Sequence, residues 1–162
     1  MQRHLISALV VLGFASAAQA QAVRTERNIS LELAGQLAAA SVAACAAEKY
    51  NVTAAVVDRA GTLRALMRAD NAGPHTVAAS QAKAFTAASA RSATTAMLEN
   101  VQKNPGAATL VDIPGFLVLG GGVPVKAGND VIGAVGVAGA PGGHLDERCA
   151  LAALDKVKDL LQ

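Results

Sequence analysis

The chain has 162 residues, of which 52% are hydrophobic and 16% are charged, and its formal net charge is +2. A chain of this length is enough for one domain with a single core. Nucleic-acid binding needs clustered Lys and Arg together with aromatic side chains on which bases stack. Because the basic residues form no block and only 2% of the residues are aromatic, the composition argues against a nucleic-acid partner.

The first 20 residues have the pattern of a secretory signal peptide. A short polar start with Arg3 and His4 precedes an apolar run, residues 5–17, that is too short to span a bilayer with any margin. Residues 18–20 give a small-x-small cleavage pattern. We therefore expect cleavage after Ala20, a periplasmic or secreted mature protein, and no membrane insertion after cleavage. An uncleaved membrane anchor is the alternative.

The chain that follows is predicted to be a flexible leader, residues 21–29, and a single domain, residues 30–162. Ser30 is a suitable N-cap for an alanine-rich helix that continues to Lys49, because alanine has the highest helix propensity. Asn51 is expected to take the left-handed conformation that ends this helix.

Short apolar or alternating runs predict five strands. These are residues 52–57, 62–68, 116–119, 123–126 and 131–137. The first two strands flank an Asp-Arg-Ala-Gly turn and the last two a Gly-Asn-Asp turn, and both turns are typical of hairpins. Two helices are predicted in the middle, capped by Thr76 and by Thr94 or Thr95, and a last helix over residues 144–161. The order α-β-β-α-α-β-β-β-α predicts an α+β fold with one antiparallel sheet and helices packed on it.

The two cysteines, Cys45 and Cys149, are expected in an oxidising compartment if the chain is exported. An even cysteine count there favours a disulfide, and both lie in alanine-flanked helical segments that can approach closely. The alternative is two buried free thiols. A metal site made by these two alone is not expected, because zinc sites use three or four protein ligands.

Three segments of the chain resemble the haem-degrading HbpS/GlcG-like family. They are residues 52–61 (VTAAVVDRAG), residues 70–76 (DNAGPHT) with 83–87 (KAFTA), and residues 121–124 (GGVP) with 133–137 (GAVGV) and 146–150 (DERCA). The resemblance implies a profilin-like fold with a five-stranded antiparallel sheet between helical layers, and it implies a homo-oligomer. Members of the family include a secreted haem-binding partner of a sensor kinase, proteins encoded with glycolate oxidation genes, and the C-terminal domain of some corrinoid adenosyltransferases. Haem is therefore the first cofactor to consider.

Two side chains are candidates for binding such a cofactor. His75 follows Gly73-Pro74 at a loop-to-helix junction, where an imidazole can ligate haem iron or act as a general base. Lys83 lies eight residues later in a helix that we expect to be largely buried, and it can meet a haem propionate or another carboxylate. The two can face one cavity if His75 is helical. The alternatives are an exposed histidine without a role and a lysine that reaches solvent from the helix edge.

The glycine-rich segment before and within the last two strands indicates close backbone contact with a ligand or another chain. In particular, Gly121 and Gly122 can present backbone N–H groups to an anion, although a sharp bend explains the run equally well. No Rossmann, P-loop or Gly-x-Ser-x-Gly signature accompanies it. His144, Asp146 and Glu147 can form a surface metal site, but acidic residues also suit a helix N-terminus.

Three functions from different classes fit these observations. The first is an exported small-ligand-binding protein, with haem as the ligand and haem degradation as an extension if the iron keeps an open position. The second is an enzyme or accessory protein for small hydroxy or keto acids, in which Lys83 and the glycine run hold a carboxylate. The third is a non-catalytic, oligomeric partner-binding module.

Overall fold

The fold is described here for residues 22–162 of a computed structural model, and the predicted signal peptide lies outside these residues. The elements in chain order are α1 (Leu31–Ala47), β1 (Thr53–Asp58), β2 (Leu63–Arg68), α2 (His75–Ala90), α3 (Thr94–Lys103), β3 (Gly122–Ala127), β4 (Asp130–Ala138) and α4 (Gly143–Lys156). Two 3-10 segments, Pro105–Asp112 and Lys158–Leu160, precede β3 and follow α4. Within the described part of the chain, every helix is too short or too polar to cross a membrane.

The strands form one antiparallel sheet in the order β2-β1-β4-β3. Thr53 of β1 lies opposite Arg68 of β2 on one side and opposite Ala138 of β4 on the other. The predicted hairpin between β3 and β4 is present, and its turn contains Gly128 with φ of 61°. Because β1 and β4 are central strands between helical layers, they are almost fully buried, whereas the edge strand β2 is largely exposed.

Helices cover both faces of the sheet, as predicted. On one face α1 and α4 pack against a core that includes Val56 and Val135. On the other face α2 packs through Ala84 against Val57 and Ala134. The short alanine side chains let α2 lie close to the sheet. The α+β class and the antiparallel sheet of the prediction are therefore confirmed.

The third of the five predicted strands, residues 116–119, is wrong, because the sheet formed by residues 22–162 has four strands. This segment bonds to α2 instead of to a strand: the Leu117 N–H donates to Thr86 Oγ1 at 2.8 Å. The Phe116 ring meets Phe85 edge-on, with the ring centroids 6.1 Å apart. The apolar residues that suggested a strand therefore serve packing against a helix.

The ends of α1 differ in how well they were predicted. Ser30 is the N-cap, and its hydroxyl accepts a hydrogen bond of 3.1 Å from the Leu33 N–H. The residue in the left-handed conformation after the helix is Lys49, with φ of 64°, and not Asn51. Here the chain turns early because the Tyr50 N–H donates back into the last turn of α1.

The predicted threonine caps of α2 and α3 are also wrong. The N-cap residues are Pro74 and Ala93, and neither makes a side-chain cap hydrogen bond. Thr76 and Thr94 lie inside the helices, where their hydroxyls are buried and bond to neighbouring elements. Thr76 Oγ1 lies 2.6 Å from the hydroxyl of Thr53 in β1. Tertiary contacts therefore take the place of the local caps.

The last residues of the predicted leader contact the sheet. Ile29 is 3% exposed, and its N–H donates to the Ile132 carbonyl at 2.9 Å. The Arg27 guanidinium donates to the Ala127 carbonyl at 3.0 Å. Residues 27–29 thus contribute to the packing of the domain.

Cys45 of α1 and Cys149 of α4 form the predicted disulfide, with their Cα atoms 5.3 Å apart. Both residues are buried. The bond joins two neighbouring helices, and its two cysteines are 104 residues apart in the sequence. A crosslink over so long a loop restricts the unfolded chain and so favours the folded state.

Candidate functional site

Lys83 points from α2 into the protein interior. It is 1% exposed, and its ammonium donates to Asp146 Oδ2 at 2.8 Å and to the Val137 carbonyl at 2.9 Å. Asp146 is equally well enclosed, and its other carboxylate oxygen accepts a hydrogen bond of 2.9 Å from the Ala140 N–H. This ion pair therefore connects α2, β4 and α4.

The two charges depend on each other. Burial raises the pKa of the Asp146 carboxyl above its ordinary value, and the hydrogen bond and charge of Lys83 act in the opposite direction. An ionised group that is buried without a partner is strongly destabilising. Lys83 is thus engaged within the fold and offers no exposed surface to a carboxylate ligand.

The glycine run before β3 packs around this ion pair. A Cβ atom at Gly121 would lie 2.5 Å from the Val137 carbonyl oxygen and 3.0 Å from Lys83 Nζ. A Cβ atom at Gly122 would lie 2.3 Å from the backbone oxygen of Lys83. The Gly122 N–H donates to Thr94 Oγ1 at 2.9 Å, so it is not available to an anion. The close backbone approach that the glycines indicate is therefore an approach to β4 and α2 of the same chain.

The His-x-Asp-Glu sequence at the start of α4 does not converge on one point. Asp146 faces Lys83, Glu147 accepts a hydrogen bond from the Thr95 hydroxyl, and His144 is exposed. Across residues 22–162, no three His, Cys, Asp or Glu side chains are placed to hold a metal ion together. The acidic residues of this segment serve internal contacts.

An open cleft of about 400 Å³ lies beside α2, between this helix, the β1–β2 hairpin and the loop before β3. We call it the α2 cleft; its lining residues are Val57, Gly61, Leu63, Ala78, Gln81, Ala82, Phe85, Pro114 and Gly115. Most of these side chains are apolar. The Phe85 ring lies against Gly61, where a Cβ atom would come within 2.7 Å of it. Glycine at this turn, with φ of 82°, therefore leaves room for the ring.

His75 is exposed and is the first residue of α2. Helical spacing places it on the same stripe as Ala78, Ala82 and Phe85, which are three, seven and ten residues later and line the cleft. His75 stands one turn before Ala78 and outside the lining of the cleft, and its ring lies against Gly73. Lys83 is rotated about 100° from Ala82, towards the sheet. Helical spacing thus puts His75 on the cleft side of α2 and separates it from Lys83.

The cleft itself was not predicted from the sequence. Its wall combines the turn at Gly61, the stripe of α2 and the loop at Pro114, which are distant in the sequence. A usable signal was present, because Phe85 continues the helical stripe that begins at His75. The two loop segments carry no pattern that would predict their meeting.

Comparison with known proteins agrees on one family. The family model described as haem degrading protein HbpS-like matches residues 29–155. Protein GlcG of Escherichia coli strain K12 is 37% identical over 115 residues, which are 71% of this chain and 84% of that protein. A double mutant of HbpS from Streptomyces reticuli has a TM-score of 0.79 and 38% identity, covering 87% of this chain and 94% of that chain. PduOC in complex with haem, at 24% identity over 79% of this chain and 94% of that chain, shares the fold with a TM-score of 0.70.

Proposed function

The chain belongs to the haem-degrading HbpS-like family, and we propose that it binds haem in the α2 cleft with His75 as the iron ligand. The observation that carries this proposal is an exposed imidazole at the end of an apolar helical stripe that lines an open cleft. Cofactor sites are typically concave and mainly apolar, with a few polar groups that fix orientation. Histidine is a common axial ligand of haem iron.

The residues of the cleft suit a flat apolar group. The short side chains of Ala78 and Ala82 leave room for a flat group beside α2. Leu63 and Phe85 add larger apolar side chains at the end of the cleft that is distant from His75. Burying apolar area in this way contributes roughly 25 cal/mol per Å². These residues would hold the macrocycle by apolar contact, while His75 would hold the iron.

Bound haem would supply a redox-active iron, and the role of this chain would be to ligate and orient it. The proposal concerns binding. Degradation requires in addition that one axial position of the iron remain open to oxygen. The absorption spectrum of the complex reports this coordination directly.

The test is a haem titration of the mature protein, followed by the Soret band. We expect a saturable shift that His75→Ala abolishes or displaces, since the iron loses its ligand. Ala78→Leu should weaken binding, because the larger side chain fills part of the cleft. The variant should still fold, since leucine is tolerated in a helix. Ala39→Leu, at an exposed position of α1, is the matched control and should bind as the wild type does.

Absence of any haem shift in the wild type would overturn the proposal and would favour a partner-binding role. A shift that His75→Ala leaves unchanged would remove His75 as the ligand. A shift that Ala78→Leu leaves unchanged would place the haem elsewhere on the surface.

We also propose that the protein is exported to the periplasm or secreted. The Cys45–Cys149 disulfide supports this, because such bonds persist mainly in oxidising compartments. Mass spectrometry of the protein recovered from host cell fractions checks the proposal. A chain beginning at Gln21 outside the cytoplasm is expected, and an intact N-terminus in the cytoplasm would contradict it.

Self-association is a further proposal. Three large apolar side chains in the segment before β3 are exposed, namely Val111 at 52%, Ile113 at 41% and Leu119 at 43%. Exposed apolar surface of this kind is typical of interaction sites. Sedimentation velocity should show an oligomer, and a monomer at all concentrations would contradict the proposal.

A further inference from the structure

Arg68, the last residue of β2, lies at the end of the strand that faces the first turn of α2, which carries His75. It is paired with Thr53 in the β1–β2 register, and the Thr53 hydroxyl bonds to Thr76 in the first turn of α2. Residues directly opposite each other on paired antiparallel strands point to the same face of the sheet. Since Thr53 faces α2, Arg68 projects on the α2 side, next to the turn that carries His75.

The guanidinium of Arg68 has bonding capacity that the protein does not use. It donates to the carbonyl of Ala72, in the loop that leads into α2. Arginine carries five N–H donors in a planar fork, so this contact leaves others open. Arg68 is exposed, and among residues 22–162 it has no Asp or Glu partner within 4.0 Å. An uncompensated cation therefore lies at the loop that leads into α2.

The cleft itself is mainly apolar. Leu63, at the start of β2, lines the cleft together with Phe85. Leu63 and Arg68 are five residues apart on one strand, which corresponds to roughly 17 Å. The register of β2 shifts between the partners of Val56 and Val57, and this irregularity puts both side chains on the α2 side of the sheet. Outward from the cleft, β2 and α2 thus both change from apolar to polar, towards Arg68 and His75.

We infer that Arg68 receives a carboxylate of the cleft ligand and so selects acidic ligands over neutral ones of the same shape. Guanidinium and carboxylate groups form strong, bidentate hydrogen bonds. A ligand with an apolar body and a carboxylate at one end would fill the apolar cleft and extend its carboxylate to Arg68. The identification of that ligand as haem rests on the proposed function. For haem, the carboxylate bound by Arg68 is a propionate. The buried Lys83 does not bind this propionate.

The experiment compares binding of haem and of haem dimethyl ester, in which both carboxylates are masked. The wild-type protein should prefer haem over the ester by about tenfold, the value of one charge-assisted contact. Arg68→Gln should lose this preference by weakening haem binding alone, and Arg68→Lys should keep part of it. Arg148→Gln, the same change on α4, is the control and should leave both affinities unchanged.

The inference is overturned if Arg68→Gln binds haem as tightly as the wild type does, or if haem and ester lose affinity equally. In both cases the proposed function stands as long as the wild type binds haem through His75. The preference of the wild type for haem over its ester needs no variant, so a folding defect of Arg68→Gln does not remove the test.

If the wild type does not bind haem, the proposed function fails, and 2-naphthoate serves as the probe of Arg68. Its binding can be followed by its own fluorescence. Binding to the wild type that weakens about tenfold in Arg68→Gln would uphold the inference. Equal binding by both proteins, or no binding, would overturn it.

Discussion

Helix α2 carries Lys83 and His75 in opposite environments, although only eight residues separate them. Lys83 is enclosed by Asp146 and the Val137 carbonyl, whereas His75 is exposed at the start of the helix. Eight residues correspond to a rotation of about 80° around the helix. That rotation is enough to turn one side chain into the core and leave the other at the surface.

The chemical type of a side chain therefore does not by itself decide its role. The ammonium of Lys83 is a good carboxylate ligand, but a carboxylate of the same chain already occupies it. The imidazole of His75 has surface available for a ligand. The buried pair therefore has a structural role, and the exposed end of α2 is where we propose binding.

The largest expected effect is the loss of one partner of the buried pair. Lys83→Met should lower the free energy of unfolding by about 3–5 kcal/mol, because Asp146 is left buried without its cation. Urea unfolding measures this loss. In the double variant Lys83→Met/Asp146→Leu, part of the stability should return, since no buried charge remains.

Lys103→Met is the matched control for this prediction. Lys103 pairs with Glu99 at 3.3 Å on the exposed side of α3, and its side chain is 76% exposed. Its removal should cost at most about 0.5 kcal/mol. If Lys83→Met also costs less than about 1 kcal/mol, the pair has no structural role of the kind described.

A smaller effect is expected where β4 approaches the inner side of α2. A Cβ atom at Gly136 would lie 2.1 Å from the Ser80 carbonyl oxygen, so Gly136→Ala must push α2 away from the sheet. The cost should be about 1–3 kcal/mol, as for other overpacked sites. Thermal and urea unfolding both measure it.

Gly35→Ala is the control for the glycine prediction, because nothing lies within 4 Å of a Cβ atom at this position in α1. It should stabilise the protein by about 0.5–1 kcal/mol through helix propensity. Equal effects of the two substitutions would show that close packing of α2 on the sheet is not the reason for glycine at position 136.

The smallest effect on stability is expected at the exposed end of α2. His75→Ala removes a side chain for which the structure shows no hydrogen bond within residues 22–162. The free energy of unfolding should change by less than about 0.5 kcal/mol. A loss above 1.5 kcal/mol would mean that His75 has a structural role instead.

The parts of the fold that depend on neighbouring residues could be predicted from the sequence. The Ser30 cap and the Gly128 turn are examples, since each rests on chemistry within a few residues. The strand predicted at residues 116–119 failed because its partner, Thr86 of α2, is distant in the sequence. Local apolar content cannot distinguish a strand from a loop that packs on a helix.

The candidate site was predictable to the same extent. The loop-to-helix position of His75 was readable from Gly73-Pro74, and the cysteine pair from an even count. The α2 cleft was not, because it needs the β1–β2 hairpin and the loop at Pro114 to meet at one helix. The glycine pattern indicated close approach correctly but could not show that the approaching group is the backbone of Lys83.

The most direct test of the account measures both haem binding and unfolding in His75→Ala and in Lys83→Met. We predict that His75→Ala loses the wild-type Soret band at unchanged stability. We predict that Lys83→Met keeps that band under conditions where it is folded, while its stability falls. The opposite result, a Soret band retained without His75 and lost in folded Lys83→Met, would contradict the account.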